Sequence, residues 1–184
     1  MKRLLSAFII SNMLFISSYG QESYIKGRWN IKAGYSVYKT QFLYSSKSVD
    51  NNNYRLELNY GLLNKIETGI YAGYSRFMIY DPWISGPPGS FVGTTCNTSF
   101  YGINCNYHLL PHLIKADDFR FDLYLSGKYG GISIKRHGNH PEYSLGTGVA
   151  FYLFRHIGAY AEYSYGKFYN NDNFKLRYGI SLKF

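Results

Sequence analysis

The stretch FKLRYGISLKF, residues 174–184, alternates an apolar or aromatic side chain with a charged or small one at every position. Successive side chains of a β-strand point to opposite faces. One face of this stretch is therefore apolar, and the other carries Lys175, Arg177 and Lys183. A solvated sheet on a soluble core shows the same alternation, so the rest of the chain has to decide what lies on each side.

The same alternation recurs seven more times along the chain. Twenty-one tyrosines and 19 glycines are typical of strands and turns, and no segment beyond the N-terminal one shows a helical period. We predict eight strands, at 28–38, 54–62, 66–77, 98–110, 119–130, 142–154, 156–165 and 174–184.

The connections between these strands alternate in length. Short or intermediate connections lie at 63–65, 111–118 and 155, and longer ones lie at 39–53, 78–97, 131–141 and 166–173. This order predicts an up-and-down meander with both chain ends on the side of the short turns. Short turns on one side and longer loops on the other are typical of transmembrane β-barrels.

The two faces of the predicted strands differ in charge. One face has 43 positions without a single Asp, Glu, Lys or Arg, although 17% of the chain is charged. The other face combines many glycines with twelve charged residues: Lys32, Arg55, Glu57, Glu67, Arg120, Asp122, Lys128, Glu142, Glu162, Lys175, Arg177 and Lys183.

Volume decides which of the two faces is inside. An eight-stranded barrel has an interior only just wide enough to be filled by side chains, so the large apolar face must point outward. A closed sheet with an apolar exterior is stable in lipid. The sequence therefore predicts an all-β fold, an eight-stranded antiparallel up-and-down transmembrane β-barrel. Its interior charges form a network in which Lys175, Arg177 and Lys183 face Glu57, Glu67, Glu142 or Glu162.

Residues 1–20 have the pattern of an export signal. Lys2 and Arg3 precede an apolar run at 4–16, and the small residues Ser18 and Gly20 fit a peptidase site. We expect residues 1–20 to be a signal peptide that is removed and residues 21–184 to be the barrel domain. Removal takes away two of the 20 basic residues and no acidic one, which lowers the formal charge from +9 to about +7. We expect no nucleic-acid partner, because the chain is exported and contains no nucleic-acid-binding motif.

The two cysteines predict neither a disulfide nor a metal site. Cys96 and Cys105 would lie roughly 30 Å apart if one extended strand carried both, and a disulfide tolerates about 7 Å between Cα atoms. No second Cys or His pair stands at ligand spacing beside either residue. The two would pair only if Cys96 lay in a loop that folds back. We expect two free thiols and no cofactor.

A soluble alternative is an exported ligand carrier. The segment Lys26-Gly27-Arg28-Trp29 contains a Gly-x-Trp that resembles the entrance strand of lipocalins, which are also eight-stranded barrels. A lipocalin holds its apolar face inward around a ligand, whereas the volume argument places the apolar face of this chain outward.

The whole pattern resembles the small outer-membrane barrels of the OmpA, OmpX and OmpW kind. The resemblance rests on the signal peptide, the eight alternating strands, the aromatic strand ends and the terminal alternation. It implies a barrel in the outer membrane of a Gram-negative cell, in contact with its lipid. We expect the last strand to pair with the first, because an unpaired edge is unfavourable in lipid. The resemblance also implies that the outer-membrane assembly machinery reads the C-terminal signal Tyr178, Ile180, Leu182 and Phe184.

Three classes of function are compatible with such a barrel. The first is a non-enzymatic protein with a plugged polar lumen that serves envelope structure, adhesion or partner binding. Its contacts with a surface ligand or membrane-protein partner would come from long loops. The Pro- and Gly-rich segment at 80–91 offers the candidate contacts Tyr80, Trp83 and Phe91.

The other two classes are a lipid A-modifying enzyme and a small pore. An enzyme would draw on His137, His140 and Glu142 with Ser133 or Ser144, but these residues do not match the His-Ser pairing of barrel deacylases. We therefore expect the histidines to be solvated loop residues and the protein to have no catalytic site. A pore is disfavoured because eight strands leave little lumen.

Overall fold

The computed structural model describes residues 25–41, 48–80, 93–113, 120–134, 138–154, 156–168 and 171–184. The eight strands are β1 (Trp29–Gln41), β2 (Ser48–Leu63), β3 (Ile66–Tyr80), β4 (Gly93–His108), β5 (Phe121–Ile134), β6 (Gly138–Tyr152), β7 (Ile157–Phe168) and β8 (Asn171–Lys183). A short helix, α1 (Leu110–Leu113), lies between β4 and β5. Within the described chain, no helix is long and apolar enough to cross a membrane.

The strands form one closed antiparallel barrel in sequence order. The last strand pairs with the first, and at the seam Trp29 and Phe184 exchange backbone hydrogen bonds of 2.8 and 3.0 Å. The seam pairs residues 30–37 of β1 with residues 176–183 of β8, so neither strand presents an open edge along this segment. The predicted fold class is confirmed.

The strands are staggered by ten residues around the barrel. Ile31 pairs directly with Leu182 across the seam. If its pairing partners are followed the other way around the barrel, through the seven remaining strand pairs, the path reaches Asp172, which lies ten positions from Leu182 on β8. A stagger of this kind tilts the strands by roughly 35–45°. Residues that face each other across the interior therefore come from distant positions in the sequence.

Apolar side chains cover the outside of the barrel. Exposed large residues recur at every second position of β8, from Phe174 to Phe184, and similarly on the other strands. Charged and polar residues at the intervening positions are buried. The polar interior excludes the lipocalin alternative, and the apolar exterior fits a lipid environment.

The strands reach farther than predicted at the end opposite the chain termini. Each extends three to six residues beyond its predicted boundary there, so that only positions 135–137 separate β5 from β6 and only 169–170 separate β7 from β8. The prediction of long connections at 131–141 and 166–173 was therefore wrong. The polar ends were missed because strand segments outside lipid need no apolar face.

Candidate functional site

The barrel interior contains most of the charged residues that the sequence placed there. Eleven of the twelve have buried side chains: Lys32, Arg55, Glu57, Glu67, Asp122, Lys128, Glu142, Glu162, Lys175, Arg177 and Lys183. The exception is Arg120, whose side chain is exposed just before β5 begins. Its prediction as an interior residue was wrong because β5 starts at Phe121 and Arg120 still belongs to the preceding connection.

A four-residue cluster occupies the middle of the interior. Lys128 Nζ donates to Glu162 Oε1 at 2.5 Å and lies 3.0 Å from Glu57 Oε1. Arg177 Nη1 donates to the same Glu162 oxygen at 2.9 Å and lies 4.0 Å from Glu57. Asn104 adds an amide, which donates to Glu57 Oε2 at 3.4 Å. Two acids and two bases thus neutralise each other across four strands.

A second cluster surrounds His108 near the end that carries the chain termini. His108 Nδ1 lies 2.9 Å from Asp122 Oδ1, and His108 Nε2 lies 3.7 Å from Glu67 Oε2. Lys32 Nζ lies 3.8 Å from Glu67, and Lys183 Nζ lies 3.9 Å from Asp122. Lys183 therefore faces Asp122, with Glu67 of the same cluster as its second acidic neighbour.

Sequence reasoning missed His108 because it concentrated on formally charged side chains. The signal was present, since His108 shares the inward parity of Asn104 and Asn106 on β4. All three are buried, and Asn106 Nδ2 donates to Glu67 Oε2 at 2.9 Å.

The third cluster is an arginine held between a carboxylate and two aromatic rings. Arg55 donates to Glu142, and Tyr71 OH donates to the other oxygen of Glu142 at 3.2 Å. The Arg55 guanidinium lies 4.3 Å from the Tyr71 ring centroid and 4.8 Å from that of Phe100. Cation–π contacts and a carboxylate together compensate a buried arginine for its lost hydration.

Large aromatic side chains also fill the interior, which the volume argument did not foresee. Tyr71, Phe100, Tyr124, Tyr152 and Tyr160 are all buried. Interior glycines make room for them: a Cβ added at Gly148 would lie 2.3 Å from Tyr124 Cζ, and one at Gly73 would lie 2.1 Å from Phe100 Cζ. The interior thus alternates glycine on one strand with an aromatic ring from another.

The residues considered for lipid chemistry do not assemble into a catalytic set. Glu142 is buried and bonded to Arg55 and Tyr71. Ser133 is exposed and shares the outward parity of β5, whereas Ser144 shares the inward parity of Glu142 on β6. His140 lies on β6 opposite Ile132, so its prediction as a loop residue was wrong. His137 lies outside the described residues.

The side chains of the three predicted loop contacts lie outside the part of the chain that the structure describes. Tyr80 ends β3, with its side chain outside the described part of the chain, and Trp83 and Phe91 lie outside the described residues altogether. Cys96 and Cys105 are not joined by a disulfide. Among the residues that the structure describes, no group of three or more His, Cys, Asp or Glu side chains is arranged to hold a metal ion.

The four residues of the predicted assembly signal form an exposed apolar row on β8. Tyr178, Ile180, Leu182 and Phe184 point outward at alternating positions and remain between 39% and 58% exposed. Tyr178 contacts Tyr35 across the seam, with ring centroids 5.9 Å apart. The row is therefore both part of the lipid-facing surface and part of the closure.

Fold and interior together define a class of protein. A closed eight-stranded barrel with an apolar exterior and a charged, paired interior is a transmembrane β-barrel. Its fold is that of the small eight-stranded outer-membrane barrels, and the resemblance seen in the sequence is confirmed at this level.

Three solved structures illustrate the similarity. Neisserial surface protein A superposes with a TM-score of 0.56 at 16% identity, over 86% of this chain and all of that one. The N-terminal β-barrel domain of Pseudomonas aeruginosa OprF gives 0.51 at 12%, over 86% and 98%. Ail of Yersinia pestis, in complex with the heparin analogue sucrose octasulfate, gives 0.52 at 12%, over 87% and 100%. No family model and no curated protein sequence matches the chain.

Proposed function

We propose that this protein is a non-enzymatic, non-conducting barrel of the Gram-negative outer membrane, which presents contacts for a surface ligand or membrane-protein partner. The observation that carries the proposal is the filled interior, in which eleven buried charges lie among five buried aromatic rings. The apolar exterior and the fold shared with outer-membrane barrels support the location. Cell fractionation tests it: the protein should co-purify with the outer membrane, and recovery in the soluble fraction would contradict the proposal.

The clusters of the interior support the proposal of a plugged lumen. Ions would have to pass the Lys128–Glu162 and Arg177–Glu162 contacts and the rings of Tyr124 and Tyr160. Moving these side chains aside would break buried ion pairs, which is costly in a low dielectric. In planar bilayers we expect no discrete conductance steps. Reproducible steps from the purified protein would reject the plugged lumen.

We propose that the contacts with a ligand or partner come from the loop end of the barrel, which is the end opposite the chain termini. Tyr80, Trp83 and Phe91 would serve as anchors. Aromatic side chains on turns stiffened by Pro and Gly lose little entropy on binding. Because Ail has been solved with a heparin analogue on a barrel of this fold, sulfated saccharides belong among the probes. Pull-downs from detergent-solubilised outer membranes should lose their partner when Trp83 and Phe91 are changed to Ala. Changing Tyr163, which is exposed on the outward face, should have no effect.

A lipid-modifying activity has no support in the geometry around Glu142. Its carboxylate is bonded to Arg55 and Tyr71, and the exposed Ser133 has the opposite parity. Mass spectrometry of lipid A after expression in a heterologous host should show unchanged acylation. A changed acyl pattern would contradict the non-enzymatic proposal.

Export and assembly complete the proposal. Residues 1–20 would direct export and be removed, and the row Tyr178, Ile180, Leu182 and Phe184 would be read by the assembly machinery before the barrel closes. The exposed, alternating arrangement of this row on the strand that forms the seam supports the second role.

A further inference from the structure

A cavity of about 340 Å³, open to the surface, lies at the end of the barrel where β1 begins and β8 ends. It is lined by Lys26, Leu63, Asn64, Lys65, Ile66 and Tyr107. Its volume is at the lower end of the roughly 300–1,000 Å³ that small-molecule sites occupy. None of these residues belongs to the interior clusters or to the loop end.

The cavity combines two cations with an apolar wall. Lys26 and Lys65 supply ammonium groups and Asn64 supplies a side-chain amide. Leu63 is 55% exposed, and Ile66 pairs with Tyr107 on the outward face of β3 and β4. Such a combination fits a ligand with an anionic head and an apolar tail.

The N-terminal turn holds Lys26 at this position. Gly27 has a φ of +78°, which favours glycine, and its N–H donates to the carbonyl of Gly61 at 2.8 Å. The Ile25 side chain is buried, so the turn is anchored on both sides of Lys26. The Gly-x-Trp segment that resembled a lipocalin motif thus serves to dock this turn against β2.

The surroundings of the cavity match a membrane–water boundary. Trp29 and Tyr60 form a ring pair at 4.9 Å on the neighbouring strands, and aromatic girdles mark the interfaces of transmembrane barrels. Four basic residues of the described chain lie at this end without being buried: Lys26, Arg28, Lys65 and Arg120. Basic clusters at a bilayer surface attract anionic headgroups.

We infer that this cavity binds the phosphate headgroup of an anionic phospholipid, whose acyl chains lie along Leu63, Ile66 and Tyr107. The lysines pair with the phosphate, and the apolar wall continues into the lipid-facing surface. The inference rests on the proposed function only for the identity of the leaflet that supplies the lipid. In an outer-membrane barrel whose chain termini face the periplasm, this is the periplasmic leaflet.

Native mass spectrometry of the barrel in a non-ionic detergent tests the inference. The wild type should retain phosphatidylglycerol more strongly than phosphatidylcholine. Changing Lys26 and Lys65 together to Ala should weaken phosphatidylglycerol binding by about fivefold for each lysine, since a basic residue near an anionic surface contributes about that factor. Equal retention of both lipids by the wild type would overturn the inference.

The matched control removes two cations from the opposite rim, Arg76→Ala with Lys167→Ala, and should leave the lipid preference unchanged. An equal loss in both double variants would show an effect of overall charge and overturn the site. Glycerol 3-phosphate should bind far more weakly than the lipid, because it lacks the acyl chains. Equal affinity would identify a soluble phosphate as the ligand and reject the lipid. The assay uses purified folded barrel, so its failure leaves the outer-membrane location intact, which fractionation tests separately.

Discussion

Arg55 illustrates at the level of one residue how this barrel stabilises charge in its interior. The guanidinium is buried, donates to Glu142, and lies against the rings of Tyr71 and Phe100. Removing one partner of a buried ion pair leaves the other charge without compensation.

We expect Arg55→Met to lower the free energy of unfolding by about 3–5 kcal/mol, because Glu142 would stay buried without the guanidinium that is bonded to it. Arg76→Met is the matched control, since Arg76 is exposed and its loss should change stability by less than about 1 kcal/mol. Urea unfolding in lipid vesicles measures both. A similar effect of the two substitutions would contradict the importance of the interior pair.

Glycines of the two faces should respond differently to the same substitution. At Gly148 an added Cβ would lie 2.3 Å from Tyr124 Cζ, whereas at Gly127 its nearest neighbour would be Leu145 Cδ2 at 3.5 Å, an ordinary contact. Gly148→Ala should therefore cost about 1–3 kcal/mol, and Gly127→Ala should be neutral within about 0.5 kcal/mol. The same unfolding experiment decides, and a tolerated alanine at 148 would show that Tyr124 is free to move.

At the scale of the element, β8 both closes the barrel and carries the apolar row that ends at Phe184. Its faces could be predicted from the sequence because the side-chain period of a strand is fixed at two. Its interior partners could not be predicted in full. The ten-residue stagger determines which residues of different strands lie at the same height along the barrel axis. Lys183 faces Asp122 for this reason, whereas the alternation alone does not distinguish Asp122 from the glutamates.

The other misses also have physical causes. Strand ends such as that of β6 at Gly138 lie in polar sequence, where no lipid requires an apolar face, and His140 was consequently assigned to a loop. His108 and the interior tyrosines have no formal charge, so a reading based on charges left them out. A comparison of inward glycines with inward aromatics on other strands would have found Tyr124 and Tyr160.

If the row on β8 is an assembly signal, its terminal member should matter for assembly more than for stability. We expect Phe184→Ala to reduce the amount of folded barrel in the outer membrane several-fold. Phe174→Ala, on the same face of the same strand and similarly exposed, should assemble normally. Heat-modifiable migration in gels measures the folded fraction in cells. Equal yields of the two variants would show that Phe184 contributes to closure of the barrel and not to an assembly signal.

At the scale of the whole molecule, the apolar face of the sheet meets lipid and the charged face lines the interior. Everything else depends on this orientation, including the plugged lumen and the lipid site at the termini. Exchanging the faces would place five acids and six bases of the interior in hydrocarbon, where each isolated charge is strongly unfavourable.

The most direct test is a spin-label accessibility scan along residues 174–183 in liposomes, with Cys96 and Cys105 replaced by serine. We expect an alternation of period two, with high access to lipid-soluble oxygen at Phe174, Leu176, Tyr178, Ile180 and Leu182. Low access is expected at the intervening positions, including those of Lys175, Arg177 and Lys183. An inverted alternation, or uniform access along the strand, would contradict the barrel orientation.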